Sequence, residues 1–171
     1  MAGEDNYKQL PNSGTHNCFG CSPVNSAGLQ MKFFADDKSV FSRLTVPAHL
    51  CGWNKIVHGG IIATILDETM GWAGIYMLKK ITLTQTLRVD FIKAVRVDQD
   101  LKVEGKVRDQ RGERQADIEA FLYNAQGELC ARSQGDFVLL SPKVARRLGM
   151  MTADDIKYFF EPLRDLKAGA G

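Results

Sequence analysis

The hydrophobic pattern changes period along the chain, and each change marks a different kind of element. Residues 29–46 read as two extended runs, LQMKFFA from Leu29 and SVFSRLTV from Ser39, with Asp36-Asp37-Lys38 as a short hairpin turn between them. From Gly60 to Leu78 the period is that of a helix. Ile61, Ile62, Ile65, Leu66, Met70, Ala73, Ile75, Tyr76 and Leu78 cover most of its sides, and only Thr64, Asp67, Glu68 and Thr69 interrupt them. A helix apolar nearly all round is a buried one, and with its approach it spans ~30 Å, the width of a small domain. Past Lys80 the period becomes two. Leu87, Val89 and Phe91 alternate with Arg88 and Asp90; Leu101, Val103, Gly105 and Val107 with Lys102, Glu104 and Lys106; Ala116, Ile118, Ala120 and Leu122 with Asp117 and Glu119. Leu129, Ala131, Ser133, Gly135 and Phe137 continue the alternation with smaller residues. These are half-buried antiparallel strands, joined by turns at Gln110-Arg111-Gly112 and Asn124-Ala125-Gln126-Gly127.

Two strands, one long buried helix and four long strands make an α+β fold, the helix wrapped by the apolar face of one curved antiparallel sheet of about six strands. One helix cannot cover such a sheet, so the uncovered remainder and the open edges ask for a second copy of the chain. Residues 1–15, rich in Asn, Gly, Ser and Pro, read as a flexible N-terminal arm, residues 16–142 as the domain, and 143–171 as a helical tail. Within the tail Thr152 suits the N-cap of a short helix with Asp154 and Asp155 at its positive end.

Composition narrows the function classes. A net charge of +2, with Lys and Arg scattered among Asp and Glu apart from a patch at Lys143, Arg146 and Arg147, gives no nucleic-acid surface. No apolar run approaches the ~18–20 residues of a membrane span, and the polar start MAGEDNYKQLPNSGTH is not a secretory signal. Four cysteines, Cys18, Cys21, Cys51 and Cys130, are too few for a disulfide scaffold at this length, which suits a reducing cytoplasm.

The candidate chemistry lies at the helix. Two glycines in Val57-His58-Gly59-Gly60 allow close backbone approach and leave N–H groups free at a terminus with about half a positive charge, a place for an oxyanion. The same residues also describe a tight helix entry with no chemistry. Asp67, about two turns further on, is a carboxylate on an apolar helix, costly unless paired or used. Burial would raise its pKa and make it a base for water or a direct nucleophile; the structural alternative is a carboxylate bonded across a dimer seam. Glu68 projects about 100° away and is expected at the surface or an interface.

The stretch NKIVHGGIIATILDETMGWAG, Asn54 to Gly74, resembles the signature of the hotdog-fold thioesterase superfamily, in its phenylacetate-type and thioesterase-superfamily-member branch, where an acid follows the His by nine positions as Asp67 follows His58. The strand Thr84 to Phe91 resembles that family's next strand, and His16-Asn17-Cys18-Phe19-Gly20-Cys21, continuing through Asn25 to Leu29, the N-terminal element of one subgroup. The resemblance covers roughly residues 16 to 140. It implies a hotdog fold and an acyl-CoA thioesterase, with Asp67 as base or nucleophile, Gly59 (Gly60 as the alternative) polarising the carbonyl and His58 bracing the loop or contacting the thioester. Thr84 matches a Thr that in some relatives reaches the site from the other subunit. Many relatives carry Asn or Gln six positions before the His, where this chain has Gly52; Asn54 is the nearest amide. By the same resemblance Arg146 and Arg147, with Lys143, are candidates for the CoA phosphates. Trp53 and Trp72 are candidates for the acyl pocket, with Glu68 and Thr82 beside it. The assembly implied is a homodimer, or a dimer of dimers forming a homotetramer.

Two further readings compete. His16, Cys18, Cys21, His49 and Cys51 offer five potential zinc ligands, against which stand buried thiols packing a loop and a family that needs no metal or other cofactor. The rival functions on the same fold are an enoyl-thioester hydratase and a non-catalytic acyl-CoA-binding protein.

Overall fold

A computed structural model of the chain describes residues 7–166. Its organising element is α1, Gly59–Leu78, whose Ile62, Ile65, Leu66, Met70, Trp72 and Tyr76 are buried. The helix is 20 residues long and, by length and composition alone, apolar enough to cross a membrane. The sequence reading, which found no apolar run near that length and took this helix as buried, passed over that property. Here α1 packs against five strands and forms the middle of the core.

The strands are β1 (Lys8–Gln9), β2 (Phe33–Ala35), β3 (Val40–Thr45), β4 (Ile81–Phe91), β5 (Asp100–Arg111), β6 (Gln115–Tyr123) and β7 (Leu129–Leu140). They form one seven-stranded sheet in the order β1-β2-β3-β5-β6-β7-β4, and every pairing is antiparallel. The alternation seen in the sequence is the alternation of burial. Leu101, Val103, Ile118, Ala120 and Leu122 face the helix and are buried, while Arg108, Asp117 and Glu119 pair on the outer face. The turns also match their residue types: Asp36 Oδ1 accepts from the Lys38 and Ser39 N–H groups, and Gly112 and Gly127 adopt positive φ. The seventh strand is β1, a two-residue edge pairing with β2 that brings the buried Leu10 onto the core, so the chain from Tyr7 onward is part of the sheet's edge.

Helix and sheet approach closely where glycines allow it. A Cβ on Gly105 of β5 would stand 3.0 Å from the Thr69 backbone oxygen, and one on Gly74 of α1 2.5 Å from Thr82 Cγ2. After α1 the chain reverses at once through Lys79, in left-handed conformation at φ 55°. Strand β4 therefore runs back along the helix it has just left. This reversal positions the site.

The tail closes the C-terminal end of α1. Helix α2 (Pro142–Arg147) is capped by Ser141, and α3 (Ala153–Asp155) by a reciprocal pair of bonds between Thr152 and Asp155, as the residue types foretell. A π turn, Ile156–Phe160, and α4 (Glu161–Asp165) follow. Phe160 packs with Ile81 and Ala145, Leu163 joins the main core, and the Lys79 ammonium donates to the Leu163 and Leu166 carbonyls.

The Gly105 contact predicts that Gly105→Val, which forces a branched side chain against a backbone oxygen, lowers stability by ~1–3 kcal/mol. Urea unfolding checks it: the midpoint falls at unchanged slope, and an unchanged midpoint would refute the close approach.

Candidate functional site

The mouth of α1 is built by His58. It is the N-cap, in extended conformation, and its Nδ1 accepts the Gly60 N–H at 2.9 Å. The Ile61 and Ile62 N–H groups bond the His58 carbonyl. Of the first helical donors only the Gly59 N–H has no hydrogen-bond partner among the described residues. The sequence names Gly59, with Gly60 as the alternative; the Gly60 N–H is taken up by His58 Nδ1, which leaves the Gly59 N–H open to a ligand. The same bond holds the His58 ring against the first turn of the helix. A Cβ on Gly52 would stand 3.4 Å from His58, so the position where many relatives carry an amide is backed against the loop. Asn54 is exposed, and so is Trp53 at 85%; neither reaches the cleft described below.

Asp67 is half-buried on the side of α1 that faces β4. Its Oδ1 accepts the Thr84 hydroxyl at 2.8 Å. Both residues belong to one chain, because β4 returns directly along α1; the expectation from relatives that Thr84 comes from another subunit does not describe its bond to Asp67. A register shift between Thr84 and Thr86 in the β4–β7 pairing marks a bulge at Gln85. A bulge resets the alternation, so Thr82 and Thr84 before it and Val89 and Phe91 after it all face the helix. Thr82 donates to the Gly71 carbonyl at 3.1 Å, which fixes the strand against α1 one turn beyond Asp67.

Burial pushes the Asp67 carboxyl above its ordinary range; the Thr84 hydrogen bond pulls it down in part, and negative charge on Cys18 pushes it up. No cation pairs with it among the described residues. The group is thus a carboxylate with one fixed donor and one free oxygen, at the wall of a cleft of about 360 Å³. The cleft is apolar along Trp72, Ile75, Phe137 and Phe159, and polar at Asp67, Thr82 and Thr84.

Several placements differ from the sequence reading. Glu68 is only partly exposed. It lies half-buried under the Cys18–Cys21 loop, hydrogen-bonded to Trp72 Nε1 at 3.2 Å and approached by Cys18 Sγ at 3.5 Å. Burial lifts its pKa to about 7. The five candidate zinc ligands also separate: Cys18 and Cys21 gather with Glu68, the His16 ring is engaged with Asn12 Oδ1 and the Cys18 N–H instead, and His49 and Cys51, on and after the 3-10 turn Ala48–Leu50, do not join them. Of the two tryptophans only Trp72 lines the cleft. Arg146 and Arg147 are exposed at the end of α2, and the cleft is instead reached by Met150 and Met151 from the segment after it. The methionines and Phe159 lie outside the helix motif, and only the apolar pattern of the tail could have hinted at them.

Gly59 and Asp67 are eight residues apart on one helix, hence ~12 Å along its axis. A single thioester carbonyl cannot touch both in one chain.

The raised pKa of Asp67 has a sign for stability. Its folded-state value lies above the unfolded one, so the carboxylate costs stability at neutral pH, and the cost disappears as pH falls through the raised value to below the ordinary Asp range. Asp67→Asn, which keeps an acceptor for Thr84, is therefore expected to melt at higher temperature than the native chain at pH 7. The gain should shrink on acidification. A melting point lowered at pH 7 would contradict a strained carboxylate.

Residues 54–131 match the family model described as thioesterase superfamily. No curated protein is similar enough to count as a match. Among solved structures, the thioesterase superfamily protein RHA08564 is 25% identical, over 68% of this chain and 57% of that one, at a TM-score of 0.64. The E. coli PaaI protein from the phenylacetic acid degradation operon is 17% identical, over 66% and 81%, at 0.60. Smu.793 of Streptococcus mutans UA159, solved with acetyl CoA, is 16% identical, over 65% and 89%, also at 0.60. With one long helix wrapped by a seven-stranded antiparallel sheet, the chain has the hotdog fold, and its central residues 54–131 are similar to the thioesterase superfamily.

Proposed function

We propose that the protein hydrolyses an acyl-CoA thioester to free acid and CoA, at a site shared between two copies of the chain. The observation that carries the reading is the Asp67–Thr84 pair on the wall of an apolar cleft. Binding of acetyl CoA by a protein of the same fold supports the substrate class. The acyl group would lie along Trp72, Ile75, Phe137 and Phe159, and Lys143, Arg146 and Arg147 are the cations available for the CoA phosphates. No cofactor is needed for this chemistry.

In the hydrolytic step Asp67 takes a proton from a water held with the help of Thr84, and the water oxygen bonds to the thioester carbon. Direct attack by the carboxylate is the alternative, and either route passes through an oxyanion. The Gly59 N–H is the donor left for that oxyanion, in a role whose removal costs about 3–4 kcal/mol of barrier in other enzymes. Collapse breaks the C–S bond, and the thiolate of CoA leaves and takes up a proton. The ~12 Å of axial rise between Gly59 and Asp67 along α1 supports an oxyanion donor supplied by a second copy. A two-fold dimer supplies this twice, Gly59 of each copy facing Asp67 of the other. The edge strand β4 exposes Leu83, Leu87 and Phe91, apolar residues that such an interface would cover.

Assayed on a panel of acyl-CoAs with a thiol-reactive dye, the protein is expected to release CoA. Asp67→Asn should lose ~10²–10⁴-fold in kcat. Tight binding without turnover would favour a non-catalytic acyl-CoA-binding protein, and water addition without CoA release a hydratase; near-native turnover by Asp67→Asn would sink the role of Asp67.

The shared site makes a separate prediction. Gly59→Pro deletes the one free N–H at a helix position where proline is tolerated, and should be nearly inactive alone. Unfolding and refolding it with an equal amount of Asp67→Asn should restore about a quarter of native activity, because half the dimers are mixed and each has one intact site. No recovery in mixed dimers shown by mass spectrometry to have formed would refute the sharing.

A further inference from the structure

Beside the cleft, one residue along from Asp67, lies a group of side chains that the hydrolysis does not use. Cys18 Sγ, Cys21 Sγ and a Glu68 carboxylate oxygen all lie within 4.8 Å of one another. The two thiols come from one loop and the carboxylate from α1, so the convergence is tertiary.

The loop is built to hold this arrangement. Asn12 Nδ2 donates to the Cys21 carbonyl at 2.6 Å, and the Ser22 hydroxyl to the His16 carbonyl at 2.8 Å. The Leu29 and Met31 N–H groups donate to the carbonyls of Phe19 and Gly20. Gly20 permits the approach to the helix, since a Cβ there would stand 2.5 Å from Glu68 Oε2. On the far side Trp72 Nε1 holds Glu68 Oε1, the kind of outer hydrogen bond that orients a ligating carboxylate. The surroundings otherwise include the buried Met31, Phe33 and Trp72. No Lys, Arg or His forms an ion pair with Glu68 among the described residues. Three groups able to carry negative charge thus meet without a cation.

We propose that Cys18, Cys21 and Glu68 bind one divalent cation of the zinc type, which staples the 18–21 loop to α1 and faces the cleft with its fourth coordination position. Two sulfurs and one oxygen suit a borderline-soft ion, and do not suit magnesium or calcium, which take oxygen ligands. Three protein ligands with an open fourth position suit a tetrahedral zinc site that keeps a water. All three groups line the cleft, which gives that position room. Binding exchanges protons for the metal: the thiols, and Glu68 where it is protonated, release theirs as the metal–sulfur and metal–oxygen bonds form. No oxidant takes part. This set differs from the five ligands offered by the sequence in including Glu68, a residue fifty positions from Cys18 on the helix.

The test uses the full chain, stripped of metal with a chelator and reduced, then titrated with Co²⁺ or Zn²⁺. Expected are saturation at about one ion per chain, a thiolate-to-cobalt charge-transfer absorption in the near ultraviolet, and a zinc-dependent rise in melting temperature. Cys21→Ser and Cys18→Ser should each reduce the absorption by about half or more, the double substitution should abolish it, and Glu68→Gln should weaken binding by at least about tenfold. Cys51→Ser and Cys130→Ser should leave the absorption unchanged. Absence of the absorption at saturating Co²⁺ would overturn the proposal, and so would its undiminished survival in folded Cys21→Ser or Cys18→Ser, or any survival in the folded double variant. A Cys18–Cys21 disulfide that persists in reducing buffer and excludes zinc would overturn it too. None of these readouts depends on thioester hydrolysis, so the site and the proposed activity can fail separately.

Discussion

The Asp67 carboxylate stands on a helix that is apolar over most of its surface, and the molecule around it is arranged to keep it there without neutralising it. An unpaired carboxylate in such a place is expensive. Pairing it with Lys or Arg would remove the cost and much of its basicity together. The chain does neither. It supplies one hydroxyl, Thr84 at 2.8 Å, and leaves the pKa raised by burial. That compromise depends on the immediate reversal at Lys79, which lays β4 along α1, and on the bulge at Gln85, which resets the alternation beyond Thr84 so that Val89 and Phe91 also face the helix.

Helix geometry then imposes the second constraint. The free N–H at the mouth of α1 and the carboxylate are both attractive pieces of thioester chemistry, but eight residues of rise keep them apart. A shared site resolves the separation and gives the exposed apolar residues of β4 an interface to belong to. The proposed oligomer thus follows from the length of a helix segment as much as from uncovered surface.

Much of this was legible in the sequence because two signals were long and periodic. The apolar surface from Ile61 to Leu78 announced the buried helix, and the alternation of Leu101, Ile118 and their neighbours announced the strands and their helix-facing side. Asp67 stood out as a charge on the wrong kind of helix. Other features had no such signal. Lys8–Gln9 is too short and polar to read as a strand. Phe33–Ala35 is only half of the extended run that contains it, since Gln30 in left-handed conformation belongs to the preceding loop. Glu68 looked like a surface acid because helical projection gives a direction and not what lies there; the Cys18–Cys21 loop, nearly fifty residues earlier, covers it. The choice between Gly59 and Gly60 needed the His58 ring, whose nitrogen occupies the Gly60 N–H.

In the proposed site one carbonyl is held by the helix mouth of one copy and attacked from the carboxylate of another. A crystal structure with a non-hydrolysable acyl-CoA ketone, in which a methylene replaces the thioester sulfur, tests this most directly. The account predicts the ketone oxygen within hydrogen-bond distance of the Gly59 N–H of one protomer, with its carbon facing Asp67 and Thr84 of the other. A ketone bound with Gly59 and Asp67 of the same protomer, or seated away from Asp67 altogether, would contradict it.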